Sequence, residues 1–221
     1  MKIDITRACA DSLRAFTQNN YGIQLKSSHA HEMVAAYLGY SSRAALLADK
    51  KCPIDNLTDA EIVILNPSTP LVNQRLKSLE NLPVDLPPSN ILAEGIYAPI
   101  VADGQFSGKI WPNLHEVAMA LTEERAQTFE MFGTNLKGTD SIADVVIKTT
   151  ESEVLMTVTF NYPINAKKPL RHSAVEITLF RIAGGIGYSK TKVLPIFYHG
   201  HFSDPDFELK HGITWLSSGK I

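Results

Sequence analysis

The chain has 221 residues, a net charge of −2 and 44% hydrophobic residues, which is enough to bury one large core or two small ones. No apolar run approaches the roughly 20 residues of a membrane span. The charge balance also lacks the basic excess of proteins that hold nucleic acid by charge alone, although a local site stays open. Residues 1–16 lack the apolar region of a signal peptide, and two cysteines are too few for a disulfide framework. We therefore expect a soluble, cytoplasmic protein.

The first part of the chain is predicted to be mostly helical. Residues 4–19 place apolar side chains at steps of three and four, which indicates an amphipathic helix. Thr58 and Glu61 have the spacing of a capping box at the start of a further helix, but Ile62–Leu65 can equally form a strand because it is a short β-branched run. Pro70 is placed in the first turn of the next helix.

The sharpest pattern is Leu25–Asp49, which predicts a helix, a glycine turn and a second helix. Gly39 ends the first helix, and Ala45–Leu47 continue the apolar surface on the second. Glu32 is within reach of a reciprocal capping bond at the start of the first helix. The candidate caps are Ser27 or Ser28 for the first helix and Ser41 or Ser42 for the second.

The same stretch has the spacing of a DNA-binding helix-turn-helix when His31 is taken as its first position. The second helix offers few long polar side chains for reading bases, so a pair of helices that builds a small core or contacts a protein partner is favoured over DNA readout. The candidate contacts to a protein or DNA partner are Ser41, Ser42, Arg43, Lys50 and Lys51.

Within residues 25–49, the run SSHAHEMVAAYLGYSSRAALLAD resembles a short helical module of uncharacterised bacterial, phage and plasmid proteins grouped as "glyoxalase-related". The shared features are a Ser-His start, an apolar helix, a Leu-Gly-aromatic turn and a closing Ala-Leu-Leu-Ala. The resemblance implies a bacterial or mobile-element origin. It implies no activity, because the module contains no recognised set of glyoxalase metal ligands.

The second part of the chain is predicted to be α+β. Residues 91–103 are predicted to be a strand, and a helix capped by Asn113 follows, with Thr122 as the cap of a continuation. From Ala143 the period changes to two, which indicates a hairpin and further antiparallel strands. The predicted organisation is a helical module at 1–80, a Pro-rich linker at 81–90, and at 91–221 an α+β domain whose antiparallel sheet packs with one or two helices.

Two further clusters are candidate sites. His199 and His201 would share one face of an extended segment, with Asp204 and Asp206 nearby, which suits a divalent metal if His211 or His172 supplies a third ligand. The ordinary interpretation of this segment is a polar loop between strands. The densest basic cluster is Lys167, Lys168 and Arg171, which suits phosphate or an acidic partner but is also typical of a solvated hairpin end.

The favoured function is that of a non-enzymatic bacterial accessory protein of the kind that mobile elements encode, which binds a protein partner or DNA and needs no cofactor. The alternative is a small metal-dependent enzyme that uses His199 and His201. No membrane partner is expected, no catalytic residue is assigned, and the sequence indicates no oligomeric state.

Overall fold

A computed structural model of the protein describes residues 4–66, 69–128, 142–160 and 173–197. The helices are α1 (Ile5–Tyr21), α2 (Ser27–Tyr37), α3 (Arg43–Ala48), α4 (Thr69–Ser78), α5 (Ser89–Ala102) and α6 (Leu114–Thr128), with 3₁₀ turns at Ile54–Asp59 and Gly104–Phe106. The strands are β1 (Ile62–Ile64), β2 (Ile110–Trp111), β3 (Ile142–Thr149), β4 (Glu153–Phe160), β5 (Ser173–Ala183) and β6 (Gly187–Phe197). The predicted α+β class is confirmed. Within the described ranges, no helix is both long and apolar enough to cross a bilayer.

The strands form one sheet in the order β2-β1-β6-β5-β4-β3, and most of its neighbours are antiparallel. Short β1 joins β2 in parallel, with Val63 opposite Ile110, and joins β6 in antiparallel register, with Ile62 opposite Tyr188. The run after Glu61 is therefore a strand, and the predicted capping box is wrong. Thr58 lies instead within the 3₁₀ turn that precedes β1.

The chain divides into two compact units. The first consists of Met1–Glu116, Thr150–Val154 and Leu179–Lys190, and the second of Val117–Thr149, Leu155–Thr178 and Thr191–Ile221. The Pro-rich stretch 81–90 lies within the first unit, where Leu82 and Leu86 pack partly buried against the main hydrophobic core.

The prediction of a strand at 91–103 is wrong, because these residues form most of α5. Leu92, Ile96 and Ile100 are completely buried at four-residue spacing, which places them on one face of a helix. The long apolar run hid this spacing, since the residues between these positions are mostly apolar as well. Helix α5 packs mainly against α1 and completes the core of the first unit.

The second unit contains most of α6, which contacts β3 and β4. Asn113 caps α6 as predicted, since its Oδ1 accepts a hydrogen bond from the Glu116 N–H at 2.9 Å. Thr122 lies inside this helix rather than at a cap, so that prediction is wrong. The predicted hairpin is confirmed as β3 and β4, and Met156 and Val158 alternate into the buried face.

Candidate functional site

The predicted pair of helices around Gly39 is present as α2 and α3. Gly39 has φ 92, a left-handed conformation that glycine adopts without strain, and it ends α2. Ser42 caps α3, because its Oγ accepts a hydrogen bond from the Ala45 N–H at 3.1 Å. Helix α3 has only 6 residues, and Leu47, predicted to continue the apolar surface, is 71% exposed.

The start of α2 differs from the prediction. Lys26 occupies the cap position and makes no side-chain cap bond, and both candidate serines lie inside the helix. Glu32 lies six positions after this cap, beyond the three-residue spacing of a reciprocal capping bond. Its Oε2 accepts hydrogen bonds from the Arg75 side chain of α4, at 3.1 Å from Nε and 2.7 Å from Nη2, and from the Arg43 backbone N–H at 3.1 Å. One carboxylate therefore fixes the start of α3 against α2 and α4.

One side of the helix pair packs against the turn between β5 and β6, in direct backbone contact. We call this the inner side. The Gly185 N–H donates a hydrogen bond of 2.6 Å to the Leu38 carbonyl oxygen. A Cβ atom on Gly39 would lie 3.0 Å from the Gly185 Cα, so this approach requires glycine at position 39 for its size as well as its conformation. All these residues belong to the first unit.

The residue that follows α3 completes this inner side. Oδ2 of Asp49 lies 3.0 Å from the Tyr40 hydroxyl and 3.4 Å from Nη2 of Arg181, while its Oδ1 accepts hydrogen bonds from the N–H groups of Lys51 and Cys52. Arg181 also lies over the Tyr40 ring, 5.8 Å from its centroid. We call Tyr40, Asp49 and Arg181 the Asp49 cluster. Both oxygens of its carboxylate are in use.

The pKa of Asp49 reflects these bonds. Burial alone would raise the pKa of this carboxyl, but the hydrogen bonds from the backbone of Cys52 and Lys51 and from the Tyr40 hydroxyl, together with the Arg181 charge, lower it below its ordinary value. Burial raises the pKa of the Tyr40 hydroxyl, and Asp49 adds to that effect. The cluster is therefore an ionised carboxylate held among donors, as in a structural ion pair.

The outer side of the pair is an open polar cleft of about 430 Å³ between α1, α2 and α3. We call it the arginine cleft, because three arginines reach it from two helices. Its lining is Asp4, Thr6, Arg7, Asp11, Arg14, Ser27, His31, Val34, Arg43, Leu46 and Leu47. Every one of these residues belongs to the first unit.

The two carboxylates of the cleft already bind groups of α1. Oδ1 of Asp4 caps that helix, accepting from the Thr6 hydroxyl at 2.8 Å and the Arg7 N–H at 3.1 Å. Asp11 is shared between Arg7 and Arg14, with each ion pair at 3.8 Å. Among the described residues, none forms an ion pair with the Arg43 guanidinium, whose charge is therefore available to a ligand.

His31 lies on α2 and lines the arginine cleft, close to these charged groups. Burial lowers the pKa of its imidazole, and the Arg43 charge, with a smaller effect from Arg14, lowers it further, while Asp11 and Asp4 act in the opposite direction. The net effect is a pKa below the ordinary value, so His31 is mostly neutral at neutral pH. Its ring nitrogens can then supply one donor and one acceptor to a ligand in the cleft.

The structure brings Arg43 into the cleft but leaves the other candidate contact residues outside its lining. Ser41, Lys50 and Lys51 are exposed, and Ser42 is occupied as the cap of α3. Arg7, Asp11 and Arg14 were not predicted to belong to a site. Their three- and four-residue spacing on the polar face of α1 was visible, but only the fold shows that α3 lies opposite that face.

The remaining candidate sites lie outside the described residues. These are the basic residues Lys167, Lys168 and Arg171 and the metal candidates His199, His201, Asp204 and Asp206. Within the ranges that the structure describes, no group of three or more His, Cys, Asp or Glu residues could hold a metal ion. Cys9 is buried in the core, and burial raises the pKa of its thiol to about 12, which makes it a poor nucleophile.

Comparison with known proteins adds no family to this description. No family model, no curated protein and no solved structure matches the chain.

Proposed function

We propose that the chain is a non-enzymatic accessory protein that binds a protein partner with the outer side of its helix pair. The observation that carries the proposal is the position of Leu47, which is 71% exposed and lines the same cleft as Arg43, Arg14 and Arg7. An exposed leucine beside a cation suits a partner that offers an apolar side chain next to an acidic one. The docking face is defined as the arginine cleft together with the exposed α3 residues Ala44 and Ala48.

A protein partner suits this face better than DNA. Helices that read the major groove present several long polar side chains to base edges, whereas α3 has 6 residues and exposes Ala44, Leu47 and Ala48 beside Arg43. The cleft also contains Asp4 and Asp11, which offset two of its three arginine charges, so the cleft suits a single carboxylate better than a continuous row of phosphates. A protein surface of mixed charge and apolar groups meets neither difficulty.

The proposed setting is a bacterial cell or one of its mobile elements. Support comes from the resemblance of Ser27–Asp49 to the module found in bacterial, phage and plasmid proteins. The structure describes this stretch as two helices joined at Gly39, and the Ala-Leu-Leu-Ala ending of the module forms most of α3. This stretch supplies α3 and the α2 side of the docking face, while the remaining cleft residues come from α1 and its cap.

Site-specific photo-crosslinking tests the proposal. A benzoylphenylalanine in place of Leu47 is expected to give a discrete protein adduct in the native cells, and Arg43→Gln in the same chain is expected to reduce its yield strongly. The matched control is benzoylphenylalanine in place of Val84, an apolar side chain of the first unit that is 98% exposed and does not line the cleft. It should give no such adduct.

Two results would overturn the proposal. Equal adducts from positions 47 and 84, insensitive to Arg43, would show that the docking face has no special role. The second result concerns DNA. If purified protein shifts duplex DNA at low salt, and Arg43→Gln abolishes the shift, the helix pair reads or grips nucleic acid instead.

A further inference from the structure

We propose that Arg43 and His31 form an anion-binding subsite that takes the side-chain carboxylate of a partner's Asp or Glu, while Leu47 receives the apolar residue next to it. This inference rests on the proposed function and names the chemistry that the docking face recognises. The cations of the cleft differ in what they already bind. Arg7 and Arg14 share Asp11, and Arg14 also donates through Nε to the Leu25 carbonyl oxygen at 3.1 Å.

Arg43 is the guanidinium left for a ligand. Its backbone N–H is held by Glu32 at 3.1 Å, so the start of its side chain is fixed, while its guanidinium forms no ion pair with any described residue. A guanidinium presents paired N–H donors that match the two oxygens of a carboxylate. Anchoring the backbone before the partner arrives reduces the entropy lost on binding.

His31 is the second member of the subsite, since it lines the same cleft and its imidazole responds to the Arg43 charge. The charged groups that act on it are Asp4 at the cap of α1, Asp11 and Arg14 within α1, and Arg43 from α3. Two further helices, α4 and α5, pack against α2. From α4, Arg75 is engaged with Glu32, and no residue of α5 belongs to the lining that the described ranges provide.

Binding of a carboxylate and protonation of His31 must then support each other. A negative charge beside the imidazole favours the imidazolium form, so the bound anion raises the His31 pKa, and by linkage the protonated protein binds the anion more tightly. A rise of about one unit in pKa corresponds to roughly tenfold tighter binding by the protonated form. The partner should accordingly bind more tightly at mildly acidic pH than at neutral pH.

The test follows the His31 imidazole resonances by NMR during a pH titration, with the signals assigned by their loss in His31→Asn. The probe is the capped peptide acetyl-Ser-Glu-Leu-Ser-amide, and the matched control has Gln in place of Glu. The Glu peptide is expected to raise the His31 pKa by about one unit, as an adjacent opposite charge does. The Gln peptide should leave it unchanged, and Arg43→Gln should abolish the effect of the Glu peptide.

The outcomes separate this inference from the proposed function. If both peptides leave the His31 pKa unchanged while the adduct at position 47 still depends on Arg43, the subsite is wrong and the docking face stands. If the Glu peptide acts as expected but position 47 gives no adduct, the docking face is wrong and the subsite stands. A rise produced by inorganic phosphate but not by the Glu peptide overturns the carboxylate assignment and favours a phosphate ligand.

Discussion

The two sides of the α2–α3 pair use similar residues for different purposes. The Asp49 cluster on the inner side and the arginine cleft on the outer side each combine arginine, aspartate and a ring. In the cluster, the side chains of Arg181 and Asp49 are 21% and 16% exposed, and both carboxylate oxygens accept hydrogen bonds. In the cleft, Arg7 and Asp11 are 77% and 59% exposed, and their ion pair is 3.8 Å long.

The difference shows which charges stabilise the fold and which are available to a partner. Exposed ion pairs contribute about 0 to 1 kcal/mol because water and salt screen them. Removing a partly buried carboxylate that accepts several hydrogen bonds costs the protein much more stability, because the donors are left without a partner. Substitutions on the inner side should therefore lower stability, and those on the outer side should lower binding.

The largest expected effect comes from the closed backbone contact. Gly39→Ala forces a side chain into a left-handed conformation, at about 1–2 kcal/mol. The new Cβ also presses on the Gly185 backbone, at about 1–3 kcal/mol. We expect a loss of about 3 kcal/mol in the free energy of unfolding, measured by urea denaturation. The matched control is Gly22→Ala, at φ 69 with no atom within 4 Å of the new Cβ. Gly22→Ala should lose only about 1 kcal/mol. An equal loss from both variants would show that the close approach of Gly39 to Gly185 adds nothing to the cost.

Asp49→Asn should give the next largest effect. We expect a loss of about 2 kcal/mol at neutral pH, because a neutral amide is a weaker partner for Arg181 and the backbone donors. The Asp49 pKa in the folded protein lies below its ordinary value of 3.8, so its contribution is complete above that pH and disappears as the pH falls through the lowered value. Urea denaturation should show a constant difference between the variant and the wild type from pH 7 to about pH 5, and a difference that narrows as the pH falls below 3.8. Asp85→Asn, at an exposed position, should follow the wild type throughout.

Glu32→Gln should lower the free energy of unfolding by an intermediate amount and should also weaken partner binding. Its carboxylate joins Arg75 to the Arg43 backbone, and both of the ion-paired side chains are partly buried. Charge-assisted hydrogen bonds contribute about 1.5–3 kcal/mol, and the amide keeps part of this, so we expect a loss of about 1 kcal/mol by urea denaturation. The crosslinking yield at position 47 should also fall, since the position of Arg43 is less fixed. If Glu32→Gln lowers stability but leaves the crosslinking yield unchanged, Glu32 does not position Arg43 for binding.

Arg43→Gln should have the smallest effect on stability. The guanidinium has no ion-pair partner in the described part of the chain, so the free energy of unfolding should change by no more than about 0.5 kcal/mol. Thermal denaturation monitored by circular dichroism measures this. A loss comparable to that of Asp49→Asn would mean that Arg43 serves the fold, and the comparison between the two sides would fail.

Local signals predicted the elements of this region better than its site. The stripe of α1, the turn at Gly39 and the Ser42 cap follow from nearby residues, and all three are confirmed. The prediction failed for α5, where a nearly continuous apolar run hides its period. Arg181 could not be assigned to Asp49, because the two are 132 positions apart and meet only through the fold. The cleft was missed for the same reason, since α1 and α3 show their shared polar face only once packed.

The most direct test of the central claim is the affinity of the partner captured at position 47. Once that partner is purified, its dissociation constant can be measured by calorimetry against wild type, Arg43→Gln and Asp49→Asn at a temperature where all three are folded. We expect Arg43→Gln to weaken binding at least about tenfold, equivalent to 1.4 kcal/mol, with Asp49→Asn close to wild type. Equal affinity for wild type and Arg43→Gln would contradict the claim that the outer side of the helix pair is the binding surface.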